Sequence, residues 1–487
     1  MSTNTATVDG LNYIQGEWVA GLDGATFDDL NPADARECVA RFPASTARDA
    51  EAAVAAAAAA FDGWRKTPIG KRAAILNAAA AYLEAHVERH ARDLTREQGK
   101  PLAQARDECL RAAQTFRFYA VEAQTFGGET YPQDDPGMVV YSQREPLGVV
   151  SVISPWNFPA SIPARKIAPA LMTGNTVVFK PSSDAPLSGW RLVQALAEAG
   201  LPKGVLNFVT GAAAATGPVL TRSAAVRAIT FTGSTRAGEE IHRGASLTTR
   251  LQMELGGKNP LLVMEDADLD QAVELAVKGG LSLSGQACTG TSRIIVQRPV
   301  LAAFTDKLVE RVRRLKVGSG LEPGMDLGPL STRRQLDTVL SYIEIGRQEA
   351  DLLCGGERLQ GEAHAHGWYV SPAVFAGVTP TMRIAREEIF GPVLAVLEAG
   401  SFEEALAQAN DSDYGLAAAI ATRNPRYMHV FASEVQSGTV KINRTTTGNL
   451  VNAPFGGIKC SSTSTFRESG RAGLEFFTQT RMVYRGT

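Results

Sequence analysis

From about residue 138 to residue 254 the hydrophobic period of the chain switches repeatedly, and this alternation limits the fold more than any other feature. The runs MVVYSQREPLGVVSVISP (138–155), NTVVFKP, GVLNFVTG and AVRAITFTGS are β-branched and apolar and read as strands. GWRLVQALAEAG and the segment opened by TRAGEEIHRGA, set between or after them, read as helices. Such alternation predicts an α/β fold with a parallel sheet covered by helices, whose strand carboxyl ends suit a nucleotide. A second alternating region runs from NPLLVMEDADLDQAVELAV to GTVKIN, and FFTQTRMVYRG closes the chain as a strand. No short internal period is present, which excludes solenoids and propellers. The economical reading is two α/β domains and a small β element.

The segment before this region is helical. STARDAEAAVAAAAAAFDGW (45–64) predicts a helix with Thr46 as N-cap and Asp49 three residues on, and a second helix spans about Lys71 to Gln98, stopped by GKP. At 487 residues with 44% apolar content, the chain can bury a large core divided into two or three domains. A net charge of −2, with basic residues scattered, gives no reason to expect nucleic acid or an anionic membrane as partner. No apolar stretch reaches membrane-spanning length, and the first residues lack the pattern of a secretory signal. The five cysteines form no CxxC pair, so neither a disulfide framework nor a zinc site is indicated, and a reducing cytoplasm is expected. His364 and His366, in GEAHAHGWY, read as a solvated loop, and no metal is expected.

Two stretches carry chemistry. In SGQACTGTSR (284–293), Cys288 stands among small polar residues, a setting that leaves a sulfur reachable where most free cysteines are buried as compact hydrophobes. In FTGSTRAG (231–238), a strand ends at Gly233-Ser234 and leads into a helix, so backbone N–H groups can meet a pyrophosphate. A plain tight turn would explain the same residues.

ISPWNFP (153–159), FKPSS (179–183), FTGSTRAG, MELGGKNP (253–260), GQACTGTSR, EEIFGPV (387–393) and APFGGIKCSS (453–462) together resemble the aldehyde dehydrogenase superfamily, in its order and spacing. The resemblance implies an aldehyde dehydrogenase-like fold. Its Rossmann-like cofactor domain would take residues 1–123 and 147–253, its catalytic domain 254–454, and its oligomerisation element 124–146 and 472–487. It also implies a homodimer or homotetramer.

By the same resemblance Cys288 is the nucleophile, Glu254 the general base and Asn157 an oxyanion donor. The cofactor, NAD or NADP, would be held by Trp156, Lys180, Ser183, Gly233, Ser234, Glu388 and Phe390. Many NAD-preferring relatives carry a glutamate where this chain has Ser183, so loss of that charge leaves room for the 2′-phosphate of NADP. The presence of Glu254 favours hydrolysis of the acyl-enzyme over transfer to coenzyme A.

Arg165, in WNFPASIPARKIAP, matches the position of a carboxylate-binding arginine in succinic semialdehyde dehydrogenases, and Arg444 falls in the family's anchor loop. Guanidinium forks suit carboxylates, so an acidic aldehyde is expected. Ser282 stands where some succinic semialdehyde enzymes have a further arginine. PFGGIKCSSTSTFRESG and YSQREPLGVVSVISPWNFP are similar to the 2-oxoglutarate semialdehyde dehydrogenases, although relatives in that branch can carry tryptophan at the Arg165 position. Each arginine could instead serve a structural ion pair. A broad-specificity or aromatic aldehyde dehydrogenase, a silent binding protein and a thiol esterase on the same fold remain alternatives.

Overall fold

The computed structural model describes residues 6–486, so residues 1–5 and Thr487, the outermost parts of the segments 1–123 and 472–487, lie outside it. Its frame is two seven-stranded sheets. In the first, the strands run in the order Arg250–Glu254, Val226–Thr232, Val149–Ile153, Thr176–Lys180, Leu206–Phe208, Asn12–Ile14, Glu17–Val19. The first five are parallel. The last two form an antiparallel hairpin against that edge, a contribution from the N-terminal segment that the sequence reading did not include.

The second sheet has the order Asp351–Cys354, Ala373–Val378, Val393–Ala399, Thr291–Gln297, Asn259–Val263, Ala417–Ala421, Thr439–Ile442, parallel except at its first pair. Strands such as Thr176–Lys180 and Asn259–Val263 are buried along their whole length, which explains why they read as unbroken apolar runs rather than as alternating ones. Helices supply the cover. Ser161–Met172 and Pro186–Glu198 contribute Ile167, Leu171, Leu192 and Leu196 to the core on one side of the first sheet.

The first long helix, Ala47–Arg65, begins at Thr46 as expected, and the Asp49 carboxylate accepts from both the Thr46 N–H (2.8 Å) and its hydroxyl (2.9 Å). The expected continuous helix from Lys71 to Gln98 is broken. Two helices, Ile69–Ala85 and Val87–Gln98, meet at His86, where the backbone leaves helical geometry at φ −109° and ψ 15°. No glycine or proline marks this break; the Nδ1 of His86 lies 2.8 Å from the Tyr82 carbonyl, the same oxygen its own backbone N–H uses. Gly99 ends the second helix with φ +94°, a conformation that costs a glycine little, and Pro101 caps the helix Leu102–Glu122. Lys100 is held in the short turn between them.

A third, antiparallel sheet has the order Thr478–Gly486, Met138–Pro146, Thr130–Tyr131. The segments expected to be β are not wholly so. Residues 472–476 form a helical turn and 123–125 a 3-10 turn. His364 likewise lies in a 3-10 turn rather than an open loop, with Nε2 3.0 Å from the Val317 carbonyl and its ring against Tyr369.

Asn175 joins the third sheet to the first. Its Oδ1 accepts from the N–H groups of Leu147 (2.8 Å) and Gly148 (3.0 Å), and its Nδ2 donates to the Phe477 carbonyl (2.9 Å). Asn175→Ala leaves these groups unpaired, at about 1–3 kcal/mol for each one that stays dry. A net loss of about 2 kcal/mol lowers Tm by roughly 4–8 °C for a cooperative unit of about 150–250 residues. Thermal melting checks this; an unchanged Tm would show that solvent replaces the bonds.

Candidate active site

The two sheets meet the site from opposite strand ends. Glu254 ends its strand, Lys180 ends Thr176–Lys180, and Trp156 and Asn157 follow the end of Val149–Ile153. Cys288 and Glu388 instead precede the strands Thr291–Gln297 and Val393–Ala399. Carboxyl-end loops of one sheet and amino-end loops of the other therefore build one region.

The Cys288 loop is strained. Leu283 (φ 56°), Ser284 (φ 52°) and Gly285 (φ 72°) are consecutive left-handed residues, and a Cβ on Gly285 would come within 2.1 Å of the Gly391 carbonyl oxygen. Side chains hold this conformation. Ser284 Oγ donates to the Gly328 carbonyl (2.7 Å), and Asn259 Nδ2 donates to the carbonyls of Cys288 (2.8 Å) and Gly290 (2.9 Å). Asn157 reaches the same loop, its Nδ2 donating to the Gln286 carbonyl at 3.0 Å while its buried Oδ1 has no partner among the described residues.

Cys288 and Glu254 line one cavity of about 280 Å³, with Arg165, Phe158, Phe455 and Glu468 also in its wall. Glu254 is buried, and neither carboxylate oxygen has a hydrogen-bond partner among the described residues. Burial, and next the charge of Glu468, push its pKa well above the usual carboxylate range, against the opposing pull of Lys166, Arg467 and Arg165. Cys288 is half-buried, and desolvation, followed by the charges of Glu388 and Glu254, pushes its thiol up to about 12.

Arg165 is partly committed: its Nη1 lies 3.7 Å from Glu468 and its guanidinium sits 5.5 Å from the Phe455 ring centroid. Glu468 is also ion-paired to the buried Lys166, whose Nζ donates to Thr230 Oγ1 at 2.8 Å. Arg444 does not join the cavity. It is exposed and absent from the wall, to which its loop contributes Thr447, Gly448 and Asn449 instead. Asn443, at the end of the strand Thr439–Ile442, takes φ 52° and ties its side chain to both the N–H and the carbonyl of Thr422, so the chain turns sharply at that point.

The remaining expected residues lie outside the wall of this cavity. Gly233 N–H donates to the Glu254 carbonyl (3.1 Å), and Ser234 caps the helix Thr235–Gly244 by accepting from the Ala237 N–H (3.4 Å). Lys180 is buried, its ammonium donates to the Pro181 carbonyl (3.1 Å), and desolvation lowers its pKa to about 8. Glu388 accepts from the Gly257 N–H (2.9 Å), and burial raises its pKa to about 7. Phe390, at φ 56°, meets Trp156 edge to face with ring centroids 5.4 Å apart. Ser183 Oγ donates to the Gly211 carbonyl at 2.8 Å.

The chain shows these parts in a long, continuous match. The aldehyde dehydrogenase family profile matches residues 18–483. The chain belongs to the aldehyde dehydrogenase family. It is 43% identical over 486 residues, 99% of either chain, to the alpha-ketoglutaric semialdehyde dehydrogenase of Bacillus subtilis. It is 44% identical over 475 residues, 97% of this chain and 98% of the relative, to the alpha-ketoglutarate semialdehyde dehydrogenase of Haloferax volcanii. Among solved structures, the betaine aldehyde dehydrogenase of Staphylococcus aureus in complex with NAD+ superimposes with a TM-score of 0.96 at 34% identity, covering 99% of this chain and 95% of that one. The chain is thus an oxidoreductase on the aldehyde dehydrogenase fold.

Sequence reasoning missed the groups that hold the site. Lys100 is ion-paired to Glu108 and donates to the Asn157 carbonyl (2.8 Å), while Glu108 accepts from the N–H groups of Ala160 (2.9 Å) and Ser161 (3.1 Å). Lys258 is buried, and desolvation lowers it to about 7. The signals were a lysine at a helix break and charged residues inside small-residue motifs, neither of which reports burial.

A thiol held up to about 12 is almost wholly protonated at neutral pH. Alkylation of Cys288 in the cofactor-free protein is expected to run at least about tenfold slower at pH 7.5 than that of a free thiol, and to rise about tenfold per pH unit up to pH ~10. Mass-spectrometric rate measurement checks this. A plateau near pH 8 would contradict it.

Proposed function

We propose that this protein oxidises 2-oxoglutarate semialdehyde, or a closely similar acidic ω-aldehyde, to the carboxylate in an NAD(P)-dependent reaction. The observation that carries the reading is an arginine, Arg165, in the wall of the cavity that Cys288 and Glu254 share. The names of the relatives at 43% and 44% identity support the same substrate. Succinic semialdehyde is the runner-up.

In this reading Glu254 takes the Cys288 proton and the thiolate adds to the aldehyde carbon. The oxyanion is held by the Asn157 amide and the Cys288 backbone N–H, donors of the kind that contribute roughly 3 kcal/mol to a transition state. A bound nicotinamide dinucleotide supplies the two-electron acceptor. Once Glu254 has released the first proton to solvent, it takes a proton from the water that attacks the Cys288 thioester and returns it to the departing thiolate, which releases the acid and regenerates the thiol. An unpartnered, buried carboxylate is suited to both proton transfers, because its raised pKa brings it closer to working pH.

The cofactor fits the residues present. The N-terminus of the helix Thr235–Gly244, with Gly233 and Ser234 before it, suits the pyrophosphate. Lys180 and Glu388 suit the riboses, while Trp156 and Phe390, whose rings are in edge-to-face contact, suit one stretch of the dinucleotide, Trp156 on its pyrophosphate side and Phe390 on its nicotinamide side. Ser183 places no carboxylate beside a 2′-phosphate, so NADP is accepted as well as NAD.

Residues 1–123 and 147–253 form the cofactor domain of this scheme, and 254–454 the catalytic domain. The strand Thr478–Gly486 is nine residues long and lies at the edge of its sheet, with Val139, Met482 and Tyr484 exposed nearby. This edge supports pairing of copies into a homodimer or homotetramer through the 124–146 and 472–487 element. No described helix is long and apolar enough to cross a membrane. A reducing cytoplasm suits five cysteines of which none is disulfide-bonded.

Formation of reduced cofactor from 2-oxoglutarate, succinic and glutaric semialdehydes and an apolar aldehyde, each with NAD and NADP, tests the reading. Acidic aldehydes are expected to lead in kcat/KM by about a hundredfold, and Arg165→Ala is expected to remove most of that lead. Equal turnover of the apolar aldehyde, unaffected by the substitution, would reject the semialdehyde assignment.

A further inference from the structure

We infer that Arg111, at the mouth of the cavity, is a second specificity-determining residue that holds the substrate's distal carboxylate. The inference rests on the acidic-aldehyde reading above. Gln104, Asp107, Glu108 and Arg111 recur at three- and four-residue spacing along the helix Leu102–Glu122, and all four line the cavity. Of the four, Glu108 is already used by Lys100 and by the N–H groups of Ala160 and Ser161. Arg111 is the cation that this helix brings to the opening.

The two arginines of the wall differ in what answers their charge. Arg165 has the Glu468 carboxylate 3.7 Å away and the Phe455 ring beside it. Arg111 has no carboxylate within salt-bridge distance among the described residues. Its one hydrogen bond to them is the donation from Nη1 to the Asn449 carbonyl, at 2.7 Å. That bond fixes one corner of a planar fork with five donors, leaving the others for an incoming anion. It also ties the helix to the Thr447–Gly448–Asn449 segment, which lines the same cavity.

A substrate aligned with its aldehyde at Cys288 extends its other end toward the mouth, where a carboxylate keeps part of its hydration while meeting the fork. Asp107 on the same face repels an anion, so a carboxylate is held there only when it sits against Arg111. Such a contact acts on binding rather than on the chemical step, because it is made equally in ground and transition states.

The test compares wild type, Arg111→Gln and Arg111→Lys on glutaric semialdehyde and on pentanal, which match in carbon number and differ in the distal carboxylate, at low and high salt. In Arg111→Gln the acid-to-pentanal ratio of kcat/KM is expected to fall about tenfold, through KM for the acid rather than kcat. Arg111→Lys restores part of the ratio, since it returns the charge without the fork. The KM for the acid rises with ionic strength in wild type, and more weakly in Arg111→Gln. A wild-type preference for the acid that Arg111→Gln leaves intact overturns the role of Arg111 and spares the semialdehyde reading. A wild type without that preference overturns both. A loss in Arg111→Gln that falls equally on pentanal overturns the carboxylate contact and assigns Arg111 to tethering the Asn449 loop.

Discussion

The site depends on a buried ion pair between Lys166 and Glu468, residues 302 positions apart in the chain. It fastens the C-terminal segment to the helix Ser161–Met172, and Lys166 passes the connection to the first sheet through Thr230 and its partner Gln252 (2.8 Å). Pairs of this kind add little net stability relative to a well-packed apolar core, but removing one member leaves a naked charge, at a cost of about 3–5 kcal/mol. The pair therefore makes the position of residue 468 hard to change. Through the paired Phe455 and Glu468 backbones (2.6 and 2.7 Å), it also fixes the Phe455 wall of the cavity.

The electrostatic result is an active-site region that resists ionisation. Glu254 is buried, without hydrogen-bond partners among the described residues, beside a second carboxylate, and the half-buried Cys288 feels the charges of Glu388, Glu254 and Glu468. Burial and the neighbouring carboxylates raise the pKa of both groups, and the Cys288 thiol is protonated at neutral pH in the cofactor-free chain. The direction has a consequence for stability. The folded state holds the Glu254 proton while the unfolded chain releases it above pH ~4.3, so this group's contribution to stability declines as pH rises from there through its raised pKa. Such a site trades stability at alkaline pH for a base and a nucleophile that become reactive together.

Much of this was legible in the sequence where local rules decide the outcome. The alternating runs located the parallel strands, the Thr46–Asp49 pair marked a helix start, and the small-residue setting of Cys288 marked a reachable thiol. What was not legible depends on tertiary geometry. The break at His86 comes from a side chain competing for a carbonyl, without glycine or proline to announce it. The sequence reading gave no role to Lys100, Lys166 or Glu468, which only the fold buries and pairs. Arg444 and Arg111 show the same limit: the motif pointed to the first, and helix geometry brings the second to the cavity.

The most direct measurement of this account is difference infrared spectroscopy of the Glu254 carboxyl group, titrated with pH in the cofactor-free protein and compared with Glu254→Gln. The account predicts a protonated-carboxyl C=O band in wild type that fades only well above the ordinary carboxylate range and is missing in the variant. A Glu254 that is already a carboxylate at pH ~5 would contradict it, since burial beside Glu468 would then not control the proton on which the site depends.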